Sequence, residues 1–151
     1  MDNVIVAGEY SHKVTQTEEE EEMDHNHGIF ENDYESLNIS LTGFTLRKHY
    51  YYEYEDWSYR METQDTQDLN FEGTVEIESP SVWICRLSKG SYENSTVHKK
   101  DAGDGLTGTF KVTALPNKKL KLSHATIEKD GKPFEFAIKS VNECRELSRK
   151  G

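Results

Sequence analysis

Three stretches of this sequence carry residue types and spacings that could do chemistry. The first is Glu18-Glu19-Glu20-Glu21-Glu22-Met23-Asp24-His25-Asn26-His27. His25 and His27 stand two apart, so an extended backbone would turn both imidazoles to one side. With Asp24 they make a nitrogen and oxygen donor set of the kind divalent metals accept. The plainer alternative is a flexible acidic loop over residues 17–28, because five consecutive glutamates repel one another and stay solvated. A structural zinc site needs three or four spaced ligands on rigid elements, which this crowded cluster does not offer. The loop is therefore the favoured reading. Asp24, His25 and His27 stand as the metal candidates, and no other cofactor is expected.

The second stretch is His49-Tyr50-Tyr51-Tyr52-Glu53-Tyr54-Glu55-Asp56-Trp57-Ser58-Tyr59. In a strand, Tyr50, Tyr52 and Tyr54 face one way and Tyr51, Glu53 and Glu55 the other. One face must be core, and tyrosines favour strands in any case, so the even-numbered ladder is assigned to packing. The other face then carries Tyr51 beside carboxylates, with Asp56 and Trp57 following at a break in the pattern. Rings and negative charge together suit a cationic partner, through cation–π attraction and contact area that costs little entropy. The partner-binding set is thus Tyr51, Glu53, Glu55, Asp56 and Trp57.

The third question is catalysis. The sequence has no G-x-S-x-G elbow, H-E-x-x-H, phosphate-binding glycine loop or C-x-x-C. Its six histidines are scattered; His12 and His124 share parity with apolar neighbours and could pair with a carboxylate inside a barrel. Asp101-Ala102-Gly103-Asp104-Gly105 lacks the spaced ligands and closing glutamate of a calcium loop and reads as a turn. No enzyme activity is expected, and a hydrolase built on a histidine–carboxylate pair is the third-ranked reading.

The elements that must position these residues are written in period-2 alternation, and the helical period is nearly absent. Strands are expected from Val4 to Val14, over Leu37–Leu41, from Phe44 to a split at Glu55-Asp56, over Leu69–Ile77, and over Val82–Leu87. Others run from Phe110 to Ala114, from Leu120 to Ile127 and from Phe134 to Ile138. Thr63–Asp68 reads as a polar loop and Ser88–Gly105 as a long loop with a helical turn. Pro116-Asn117 and Asp130-Gly131 are turn signals. The tail is expected to form a short C-terminal helix capped by Asn142. The fold class is all-β: a single-domain antiparallel β-barrel or β-sandwich of eight or nine strands spanning 1–151, which suits a chain of 151 residues with 11% aromatics.

Charge bounds the partners. Residues 1–78 hold 20 Asp/Glu against 4 Lys/Arg, a net of -16, and residues 79–151 hold 8 against 14, a net of +6, giving the chain's -10. Nucleic acid is not an expected partner, because phosphate binding needs Lys/Arg to displace counterions. No apolar run reaches the roughly 18 residues of a membrane helix, so no membrane association is expected. The N-terminus lacks a signal-peptide pattern, and Cys85 and Cys144 read as reduced thiols, which together point to the cytoplasm. The leading function is an acidic module that docks a basic protein surface, most concretely an inhibitor or immunity-type antidote of a nucleic-acid-acting enzyme. The alternative is a small β-barrel that binds a small ligand or a divalent metal in its mouth.

Overall fold

In the computed structural model, which describes residues 3–22, 25–56, 61–96, 99–134 and 145–149, every regular element is a strand. β1 (Gly8–Glu22), β2 (His25–Ser40), β3 (Gly43–Asp56), β4 (Met61–Ser79) and β5 (Val82–Thr96) follow one another as an antiparallel meander. β6 (Lys100–Gly103) pairs with the far end of β5, and β7 (Leu106–Leu115) pairs with its beginning. β8 (Lys119–Lys129) returns along β7, followed by β9 (Lys132–Pro133) and β10 (Arg145–Arg149). β10 pairs with β8 on one side and β1 on the other. That contact closes an eight-stranded antiparallel barrel in the order β1-β2-β3-β4-β5-β7-β8-β10, with β6 and β9 as additions. Closure, unlike a sandwich, leaves no edge where all eight strands run together.

The core fills the lower part of the barrel. Leu37, Ile39, Phe44, Leu46, Phe71, Trp83, Cys85, Phe110, Val112, Leu120, Leu122 and Leu147 are all buried there. Phe44 and Phe110 meet edge to face across it, with ring centroids 5.1 Å apart. Three register shifts interrupt the described ladders, one between Ile77 and Ser79 and two beside glycines. The β4–β5 register shifts between Glu72 and Gly73, and a side chain at Gly73 would land on the Arg86 carbonyl oxygen. Gly108, at φ 139°, is pressed in the same way against the Thr126 carbonyl oxygen, beside the β7–β8 shift. Both expected hairpin turns form, because Asn117 (φ 65°), Lys118 (φ 58°), Asp130 (φ 54°) and Gly131 (φ 77°) all adopt the left-handed conformation that tight hairpins require.

Several expectations are corrected. Residues 3–7 are not strand: Ile5 is buried, its amide bonded to the Pro80 carbonyl at 2.9 Å, while Val4 and Val6 are exposed. Residues 17–22 and 25–28, read as a loop, are paired strand in the β1–β2 hairpin. Thr63–Asp68 lies within β4, and most of Ser88–Gly105 is β5 and β6. Arg145–Arg149 is strand and not helix, because its pairing with β8 and β1 supplies the hydrogen bonds a helix would have made internally. Asn142 lies outside the described residues, as do residues 135–138 of the expected last strand. The split at Glu55-Asp56 is where β3 ends. Among the described residues no helix is long and apolar enough to cross a membrane.

β10 contributes one core side chain, Leu147, which is fully buried. Leu147→Ala is expected to lower stability by about 2–5 kcal/mol, the usual range for emptying a packed leucine site. Urea denaturation followed by tryptophan fluorescence measures this, and a change below about 1 kcal/mol would mean that β10 is not part of the closing wall.

Candidate functional site

Beyond the β4–β5 shift at Glu72/Gly73 the first five strands are in continuous register, so inward residues line up in cross-strand rows. The last apolar row, one step above Ile39 and Phe44, is Tyr10, Leu37, Leu46 and Phe71. One step up, the row is His12, Glu35, Lys48, Leu69 and Tyr92. The next is Asp33, Tyr50, Gln67 and Asn94, and above it stand Glu31, Tyr52, Asp65 and Thr96. Within three rows the inner face changes from hydrocarbon to ionic.

Glu35 (0% exposed) and Lys48 (1%) are directly opposite each other, and Asp33 (5%) and Gln67 (1%) adjoin them. Burying an ion costs several kcal/mol unless an opposite charge and hydrogen bonds compensate, so the two charges depend on each other. Tyr50 shares this layer. Its burial, then the charge of Glu31 and the hydrogen bond Glu31 accepts, then the charge of Asp33, push the phenol up to about 12. On the opposite wall Lys129 Nζ donates to the Tyr92 hydroxyl at 3.2 Å and lies 5.0 Å from its ring centre, with the Phe134 ring 4.7 Å away. Cys85 is buried in the core, where desolvation pushes its thiol up to about 12, so it is an inert packing group. Cys144 lies outside the described residues.

The outer face of the same strands holds the second set of rows. Lys13, Tyr34, His49, Asp68 and Glu93 form one, and Thr15, Asn32, Tyr51, Thr66 and Ser95 the next. Phe30, Glu53 and Gln64 follow. His49 Nδ1 is 2.5 Å from Asp68 Oδ1, which directs Nε2 away from the carboxylate. The Tyr51 hydroxyl donates to Glu53 Oε2, and the Tyr51 and Phe30 rings stand 5.9 Å apart at 58°. Elsewhere on the wall, a groove of about 730 Å³ opens beside the β4–β5 bulge, with Arg47, Asn70, Lys89 and Asp104 among its lining.

These rows place the sequence candidates. Tyr51 and Glu53 are brought together on the outer face, and Glu55 continues that face along β3. Tyr50 is buried on the inner face, as the parity argument required, and Tyr52 and Tyr54 are half-buried. Asp56 closes β3, with its backbone opposite His27 and Met61. Trp57 and Asp24 lie outside the described residues. The backbone of His25 pairs with Glu22 and that of His27 with Glu20. Among the described residues no three metal-ligating side chains are grouped to hold an ion. His12 stands opposite Glu35, whereas the His124 side chain lies outside the described residues.

Sequence reasoning missed Phe30, the His49–Asp68 pair and the buried Glu35–Lys48 row. Phe30 carried a signal, since its even number puts it opposite Leu37 and Ile39 on β2. The other two join residues through register alone. The chain matches no protein-family model, no curated protein and no solved structure.

Two outcomes follow from the buried layer. Lys48→Met should cost about 3–5 kcal/mol in urea denaturation, because it strands buried carboxylates, and adding Glu35→Leu should recover most of that loss. Equal, additive losses from the two changes would show that the charges are not coupled. Tyr50 tests the alkaline side: its folded pKa lies above the unfolded value, so the unfolded chain ionises first. Its contribution, on the order of 2 kcal/mol, is complete below pH 10 and is lost as pH rises towards about 12. Tyr50→Phe should flatten that part of the stability profile relative to wild type.

Proposed function

We propose that this chain is a docking module for a basic protein surface, most concretely an inhibitor or immunity-type antidote that occupies the cationic cleft of a nucleic-acid-acting enzyme in the cytoplasm. One observation carries the reading. Residues 12–35 and 48–70, the sequence of the β1–β2 and β3–β4 hairpins beyond the apolar core, hold 15 Asp/Glu against 3 Lys/Arg, a net of -12 in a chain of net -10. The described strands that carry most of this charge pair side by side past the apolar core, and the rest of the sequence is slightly positive. A field concentrated in this way steers an oppositely charged surface into encounter and fixes its orientation. The outer rows supply what charge alone lacks, namely aromatic contact area at Phe30, Tyr34 and Tyr51 amid the carboxylates. Such rings are the usual anchors of an interface.

A second reading, a small ligand held at the barrel mouth, is favoured by the inner rows, where Tyr50, Tyr52, Asp65 and Gln67 share one polar face. It differs in what it needs. A ligand would contact the inner parity of β3 and β4, whereas a protein partner would contact the outer parity.

The test is affinity capture from native lysate with mass-spectrometric identification, followed by binding kinetics of the captured protein. Glu53→Lys with Glu55→Lys should slow association, and the defect should shrink as salt rises, since steering is screened over about 8–10 Å at moderate ionic strength. A partner with an acidic surface, or binding indifferent to both salt and charge reversal, would remove this function.

A further inference from the structure

The outer face around Tyr51 has a geometry more selective than its charge. We infer that this face recognises arginine in preference to lysine on the partner, an inference that rests on the docking reading above. Three features of the site lead there. Phe30 keeps 37% of its surface exposed, so an aromatic face is presented to solvent beside Tyr51. The 5.9 Å separation and 58° tilt of the two rings are those of a packed, tilted contact, which holds the Phe30 ring in place beside Tyr51. The Tyr51 hydroxyl engages only one carboxylate oxygen of Glu53, Oε2, which fixes the carboxylate beside the ring and leaves Oε1 as an acceptor.

A flat cation is the natural complement of an exposed ring with a carboxylate close by. A guanidinium can lie against an aromatic face and donate in its own plane to a carboxylate at the same time. An ammonium is compact and strongly hydrated, so it satisfies the carboxylate but gains less from the rings. Glu55, two residues further along the same face of β3, adds negative charge on the approach. Long-range charge would draw lysine and arginine alike. The discrimination arises only on contact, at Phe30, Tyr51 and Glu53.

The experiment compares fluorescently labelled oligo-arginine and oligo-lysine of equal length, titrated against the full chain by anisotropy at low and physiological salt. Oligo-arginine should bind roughly five- to tenfold more tightly, the ratio expected of a partly desolvated cation–π contact. Tyr51→Ala should reduce that ratio to within about twofold while oligo-lysine affinity changes little, and Tyr51→Phe should retain most of it. Glu53→Gln should weaken oligo-arginine more than oligo-lysine. Should Tyr51→Ala fail to fold, Phe30→Ala gives the same reading from an exposed site. Equal affinity for the two peptides, or a preference that survives both alanine variants, overturns this inference and leaves the docking function standing. Failure of both peptides to bind at low salt overturns the docking function along with it.

Discussion

Unequal strand lengths govern this molecule. β1 to β5 run for 14 to 19 residues, while β7, β8 and β10, which complete the ring, have 10, 11 and 5. At about 3.3 Å per residue, the first five strands extend well past the level at which a closed ring can exist. An apolar inner face is stable only where the opposite wall covers it. The sequence respects this limit: Tyr10, Leu37, Leu46 and Phe71 form the last apolar row before the ionic one. Above them the inner face has to tolerate polar surroundings, and Glu35, Lys48, Asp33 and Gln67 are the residues that occupy it.

The ionic row also fixes pairing. Long, regular hairpins are prone to slip, and a one-residue slip moves every side chain to the opposite face. Here a one-residue slip between β2 and β3 would carry one of Glu35 and Lys48 to the outer face and leave the other buried without its complement, at a cost of several kcal/mol. Below it, Leu37 facing Leu46 and Ile39 facing Phe44 impose the same register through packing. A buried charge pair contributes little net stability but discriminates strongly against its misaligned alternatives, and a meander of this length needs that discrimination.

Much of this was legible in the sequence, and the failures share a cause. Period-2 alternation identified the all-β class, the even-numbered tyrosine face and the end of β3. Positive-φ chemistry identified the turns at Asn117 and at Asp130-Gly131. What failed was the assumption that polar residues mark loops. Thr63–Asp68 and residues 17–22 are polar because the strands carrying them lie beyond the apolar core, and a hydrophobic pattern cannot report a strand that has no oil to face. Lys48 sits on the same parity as Phe44, Leu46 and Tyr50, and its charge was the visible sign that the inner face changes character there. The partnership of His49 with Asp68, 19 residues away, depends on the length of the β3–β4 hairpin, which no local pattern encodes. β10 is too short to announce itself, and only closure of the ring gives Leu147 and its neighbours a reason to be strand.

The placement of charge then follows from the placement of stability. Fifteen carboxylates against three basic groups would destabilise any compact core through self-repulsion. In this fold the strands that carry most of them run on past the apolar core, and among the described side chains Glu31, Glu53, Glu55, Asp65 and Asp68 all keep contact with solvent. The lower rows supply the stability and the upper rows carry the field. On β3 the two duties are interleaved residue by residue, since Tyr50 faces inward into the buried layer and Tyr51 outward beside Glu53. Parity therefore separates folding from recognition within one strand. A basic partner would neutralise the charge that the extension has to tolerate when alone. Its binding energy would then include the relief of that repulsion, and by linkage the hairpins would be more stable in the complex than in the free protein.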